Sequence, residues 1–120
     1  MSKNKKYDLD QRTYLFASLV RDFVRKVPKD VSNIEDIKQL VRSSGSVGAN
    51  YIEANESLSD KDFIYRIKVC RKEAKESGYW LELLYLYSDE ELEVIRKNLV
   101  KETSEFVKIF SSIIQNRTFE

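Results

Sequence analysis

Phe63, Ile67, Cys70, Ala74, Ser77, Leu81 and Leu84 follow one another at alternating steps of four and three. No other feature of the chain constrains its fold as strongly. An α-helix turns once in 3.6 residues, so this spacing gathers all seven side chains on one face, whereas a strand would send them to both. A helix with a single small and apolar stripe must bury it against another helix or a sheet. Leu92, Ile95, Leu99, Phe106, Ile109, Phe110 and Ile113 repeat the pattern further on, and Leu9, Phe16, Leu19, Val20, Phe23 and Val27 show it near the start. One proline and three glycines in 120 residues leave too few turn formers for an all-β protein.

The breaks between these stretches are short. Pro28 cannot donate a helical hydrogen bond and restricts Val27, so the first helix ends there. Ser32 with Glu35 reads as a capping box, Ser59 with Asp60 and Asp62 as an N-cap with an acidic first turn, and Ser88 with Glu91 as another capping box. The spacing predicts helices over about 8–27, 33–56, 60–87 and 89–116 within one domain spanning 1–120. Connections of a few residues make successive helices antiparallel. The expected fold is an all-α, antiparallel, up-down-up-down four-helix bundle.

Chemistry is constrained mainly by what is missing. The chain has no histidine, the usual general base and transition-metal ligand. Its single cysteine, Cys70, can form neither an internal disulfide nor a zinc pair, and it lies on the apolar seam, which fits an inert thiol in a reducing cytoplasm. GSVGAN follows no strand and lacks the Gly-Lys-Ser/Thr ending of a phosphate loop. The expectation is a protein without catalysis, cofactor, metal or small-molecule substrate. The N-terminal MSKNKKYDLDQR has no apolar core for a signal peptide, and no run reaches the roughly 18 apolar residues of a membrane span.

Two stretches exceed what a monomer needs. In GYWLELLYLY, residues 78–87, only Glu82 is charged. On a continuous helix Leu81 and Leu84 extend the seam, Tyr79, Leu83 and Leu86 fall on the opposite side, and Trp80 and Tyr87 lie on a flank. So much apolar surface facing outward marks a subunit interface, unless a loop or the C-terminal Thr118 and Phe119 cover it. In RSSGSVGANYIEANE, residues 42–56, the core face of the second helix runs Ile37, Leu40, Val41, Ser44, Val47, Gly48, Tyr51, Ile52. Ser44 and Gly48 permit close helix packing, with an aromatic such as Phe16 or Phe63 expected to fill the dent. Arg42, Ser46, Asn50 and Glu53 share a polar face at helical steps. That face suits an ordered hydrogen-bond network, a subunit contact, a ligand or RNA site, or plain solvent exposure.

Net charge is only +1, so the chain has no overall nucleic-acid signature. Residues 1–29 nevertheless carry a net +5, and Lys3, Lys5 and Lys6 form a short basic arm or a solubilising end. Lys61, Lys68, Lys72 and Lys75, with Arg71 beside them, share the outer face of the third helix. An oligomer would repeat that stripe and add up its attraction for phosphate. The alternative is an ordinary solvated face, in which Lys72 pairs with Glu76 one turn on.

The runs RSSGSVGANYIEA and FIYRIKVCRKEAKESGYWLELL resemble the 23S ribosomal RNA intervening-sequence proteins, also called four helix bundle proteins. The likeness spans about Tyr14 to Leu99. Arg42, Ser46, Val47, Ala49, Asn50 and Glu53 match the family's second-helix motif, while Tyr51 replaces an aliphatic residue and Ala54 a glycine. The second departure suggests a slightly longer helix here. Lys72, Glu73, Ala74, Glu76, Tyr79, Trp80 and Leu81 match one branch of the family. The resemblance implies a bacterial, cytoplasmic homopentamer with no established enzymatic activity or cofactor. Related accessory proteins of diversity-generating retroelements act with RNA and reverse transcriptase, so RNA or ribonucleoprotein binding is the implied function. A protein-interaction scaffold without nucleic-acid binding is the alternative.

Overall fold

A computed structural model describes the backbone over residues 5–118 and side chains over 9–117. Four helices follow in order: α1 (Lys5–Lys26), α2 (Val31–Asn55), α3 (Asp60–Leu83) and α4 (Glu90–Thr118). Each packs on its neighbours in sequence, and α4 closes against α1. The result is the expected antiparallel four-helix bundle, 48 Å long. The α2–α3 contact is the most extensive and the α1–α4 contact the least. Arg12 clasps that thinner seam: its guanidinium donates to both carboxylate oxygens of Glu102 at 2.7 and 3.1 Å and stands 5.5 Å from the Phe106 ring centroid. The basic arm's Lys3 and the tail's Phe119 lie outside the described residues, as do the side chains of Lys5, Lys6 and Thr118.

Phe16, Phe23, Leu40, Ile67, Leu81, Phe106 and Phe110 form the middle of the core. Two residues read as core face outward instead, Leu19 at 44% exposure and Ile52 at 61%. Each sits at the edge of its helix stripe, one position too far round to reach the interior. Ser44 is buried as expected, but no aromatic fills the dent at Gly48. A Cβ there would lie 2.9 Å from Thr13 Oγ1, so it is α1 that approaches. Gly78 mirrors this on the other side of the bundle, where a Cβ would lie 2.9 Å from Thr103 Oγ1 on α4.

Three helix ends differ from the sequence expectation. Asp30, not Ser32, caps α2, its carboxylate accepting from the Asn33 amide at 2.7 Å. Asp89, not Ser88, caps α4, accepting from the Leu92 amide at 3.0 Å. Ser88 instead takes a left-handed φ of 61°, and Tyr87 one of 58°. Ser59 caps α3 as expected, bonded to the Asp62 amide at 3.1 Å. The largest difference is at the end of α3, which stops at Leu83 rather than about 87. Leu84 is extended, with ψ 136°, and burial then alternates: Leu84 and Leu86 point in, Tyr85 and Tyr87 out. Tertiary partners satisfy the freed backbone. Arg96 donates to the carbonyls of Leu81, Glu82 and Leu84. The fully buried Asn33 donates to the Pro28 and Tyr85 carbonyls and accepts from the Tyr85 amide.

Candidate nucleic-acid interface

The polar face of α2 turns out to be half of a seam with α3. Arg42 reaches across to Glu73 at 3.4 Å and also pairs with Glu76. One residue on, the buried hydroxyls of Ser43 and Ser77 bond to each other at 2.9 Å. Two turns on, Asn50 accepts from Arg66 at 3.0 Å. Ser46 and the Asn50 amide nitrogen bond locally to the Arg42 and Ser46 carbonyls, and Glu53 faces solvent. Arg42, Ser46, Asn50 and Glu53 therefore form no single cluster. Arg42 and Asn50 tie α2 to α3, which accounts for polar residues where strong helix formers would otherwise serve.

Sequence reasoning missed Ser43, although Leu40, Ser43 and Val47 stand at steps of three and four on the buried face. Glu73 enters that reasoning only as a match to the family, and nothing in the sequence signals that it is buried, at 7% exposure. A carboxylate this buried needs a partner, and Arg42 supplies it.

This pairing shapes the outer face of α3. Lys61, Lys68, Lys72 and Lys75 are exposed there, and Arg71 is half-buried beside them. Lys68, Arg71, Lys72 and Lys75, with Glu76, line a shallow depression of about 450 Å³. Lys61 lies nearer the start of α3 and does not line it. Arg71 is fixed by donating to Ser111 Oγ of α4 at 3.2 Å. Glu76 pairs with Arg42 of α2 and makes no ion pair with Lys72. Among the described residues, Lys68, Lys72 and Lys75 make no ion pair. The depression thus presents four cations and one carboxylate already satisfied from the other side.

Only part of the apolar stretch faces outward. Tyr79 is 58% exposed and Leu83 48%. Trp80 is half-buried, its ring 5.0 Å from that of Tyr79 and its indole N–H enclosed without an acceptor. Tyr87 is exposed, but its hydroxyl donates to Asp30. Leu86 is a correction: at 1% exposure it belongs to the core, because the extended segment turns it inward. Tyr79 borders an α3/α4 groove with Gly78, Val100 and Val107 and the cations Lys75 and Lys108. On the opposite edge, a groove of about 640 Å³ between α1 and α2 is lined by Tyr14, Ala17, Gly45, Gly48 and Ile52, with Asp10 and Glu56 beside them.

Burial pushes the Cys70 thiol up to about 12, so it stays protonated and is a poor nucleophile at neutral pH. No helix among the described residues is long and apolar enough to cross a membrane.

Comparison with the curated proteins finds no match. Among solved structures, the chain is similar to a protein of unknown function from the S23 ribosomal protein family of Bacteroides thetaiotaomicron. The two are 31% identical, with a TM-score of 0.74, and the alignment covers 92% of this chain and 98% of that one. The family model described as 23S rRNA-intervening sequence protein matches residues 5–115. With nearly the whole bundle inside that match, the chain belongs to the 23S rRNA-intervening sequence protein family.

Proposed function

We propose that this chain is a non-catalytic, self-assembling bundle of the bacterial cytoplasm that binds RNA phosphate through the outer face of α3. The observation that carries this reading is the depression of Lys68, Arg71, Lys72 and Lys75, whose one lining carboxylate, Glu76, is paired with Arg42. Clustered cations without ion-pair partners attract phosphate, and repetition of the cluster in an assembly adds to the attraction. The unpaired Cys70 is consistent with a reducing compartment.

Self-assembly is supported by two unlike grooves on opposite edges of the bundle. The α1/α2 groove is apolar with acidic Asp10 and Glu56, and the α3/α4 groove is apolar with Lys75, Lys108 and Glu82 at its edges, Lys108 being paired with Glu105. Contact between two different surfaces of the same chain is head-to-tail, and such contacts form a ring when the rotation between subunits closes and an open filament when it does not. The family resemblance suggests five subunits.

Gel-shift titration of structured RNA across a salt series tests the binding. Affinity should fall steeply as salt rises, and Lys68→Gln with Lys72→Gln should weaken it and flatten the slope. No binding at about 50 mM salt removes the RNA reading. The α1/α2 groove favours a second reading, a protein scaffold. A purified protein partner whose binding resists nuclease and is lost in Ile52→Glu would select it.

A further inference from the structure

We infer that the α3 surface takes single-stranded rather than duplex nucleic acid, with Tyr65 as a base-stacking platform beside the cations. This rests on the phosphate-binding reading above and adds a strand preference to it. Outer positions of α3 read Lys61, Tyr65, Lys68, Lys72 and Lys75 at steps of four, three, four and three. At 1.5 Å rise per residue, Tyr65 stands about 4.5 Å along the axis from Lys68 and about 10 Å from Lys72. Its side chain is 62% exposed, so the fold makes little use of the ring. The Arg66 guanidinium lies 5.8 Å from the ring centroid and is itself tethered to Asn50, placing a fixed cation beside the aromatic face.

An exposed aromatic ring in line with unpaired cations is how proteins hold single strands: the cations track the backbone and the ring stacks on a base. A duplex keeps its bases stacked on one another. Its deep, narrow A-form major groove does not admit the side chains of a surface helix, so a duplex would meet only the cations. Tyr65 therefore contributes to one ligand and not to the other. Tyr79 continues the same stripe, but it and Lys75 border the α3/α4 groove assigned above to self-association, so Tyr65, Lys68 and Lys72 carry the strand contact.

The test is fluorescence anisotropy of the full chain with a short labelled oligouridylate and with an RNA duplex of equal length, at about 50 mM salt and upward. The single strand is expected to bind more tightly. Tyr65→Ala should weaken single-strand binding about tenfold, as expected for one lost base stack, and leave duplex affinity and salt slope unchanged. Tyr65→Phe should bind as wild type, and Lys72→Gln should weaken both ligands. Equal or tighter duplex binding, or full single-strand affinity in Tyr65→Ala, overturns the inference while leaving the phosphate site standing. Failure of both ligands to bind at low salt overturns the phosphate reading and this inference with it. Circular dichroism of the Tyr65 variants should match wild type, since the side chain lies outside the core.

Discussion

Tyr87 and Asp30 join the two loops at one end of the bundle, and each alters the other's titration. The Tyr87 hydroxyl, followed by the Asn33 amide, holds the Asp30 carboxyl below its ordinary 3.8, while Asp30 holds the Tyr87 phenol above its ordinary 10.0. A lowered carboxyl stabilises the fold above its unfolded pKa and loses that contribution as pH falls through the lowered value. A raised phenol stabilises it below its unfolded pKa and loses that contribution as pH rises through the raised value. Wild type should therefore exceed Tyr87→Phe in thermal stability between about pH 4 and pH 10, with the difference shrinking at both ends. Carboxyl NMR of Tyr87→Phe should show Asp30 titrating closer to 3.8. Cys70 gives a second expectation at this scale. With its thiol near 12 and fully enclosed, it should resist an aromatic disulfide reagent at pH 8 and react at once in denaturant. Rapid reaction of the native chain would mean that the α3 seam opens.

Two helix pairs, α1/α2 and α3/α4, each approach through a glycine set against a buried threonine. Gly78→Ala gains about 1 kcal/mol of helix propensity but drives a methyl against Thr103 Oγ1, an overpacking cost of about 1–3 kcal/mol. The single change should therefore destabilise by about 1 kcal/mol. In a Thr103→Ala background the obstruction is gone, and Gly78→Ala should become stabilising, which urea unfolding of the four-variant cycle would read directly. Helix starts and stops were legible only where the signal is local. Ser59 and Pro28 act within their own turn, and both behave as their sequence implies. The end of α3 was not legible, because GYWLELLYLY holds no breaker after Gly78. What stops the helix is Arg96 and Asn33, one arriving from α4 and the other from α2. A helix continued to residue 87 would carry Leu86 outward, since a helix turns about 100° per residue while an extended segment alternates from one side to the other. The polar seam was legible as a set of residue types. Its partner was not, because Arg42 and Glu73 lie 31 residues apart and nothing local joins them.

Across the whole molecule, the self-assembly proposed above gives Leu83 and Leu86 different roles, one at the surface and one in the core. Leu83→Glu alters a half-exposed side chain at the rim of the aromatic patch and should dissociate an oligomer while the chain stays helical. Leu86→Asp buries a charge in the core and should unfold the chain. Sedimentation velocity paired with circular dichroism distinguishes the two outcomes, and an unchanged mass in Leu83→Glu would clear this patch of an interface role. The general outline, four antiparallel helices around a phenylalanine-rich core, followed from apolar spacing and short connections alone. The lack of a Lys72–Glu76 pair did not, since Glu76 pairs instead with Arg42, 34 residues away on α2. Trp80 stands where these surfaces meet, next to Tyr79 and one turn before Leu83. It is the only tryptophan in the chain, and its indole N–H is sealed off without an acceptor. The protein thus carries its own optical probe: emission should be blue-shifted in the folded chain and move to longer wavelength on unfolding, and the self-assembly proposed above predicts a further change on dilution.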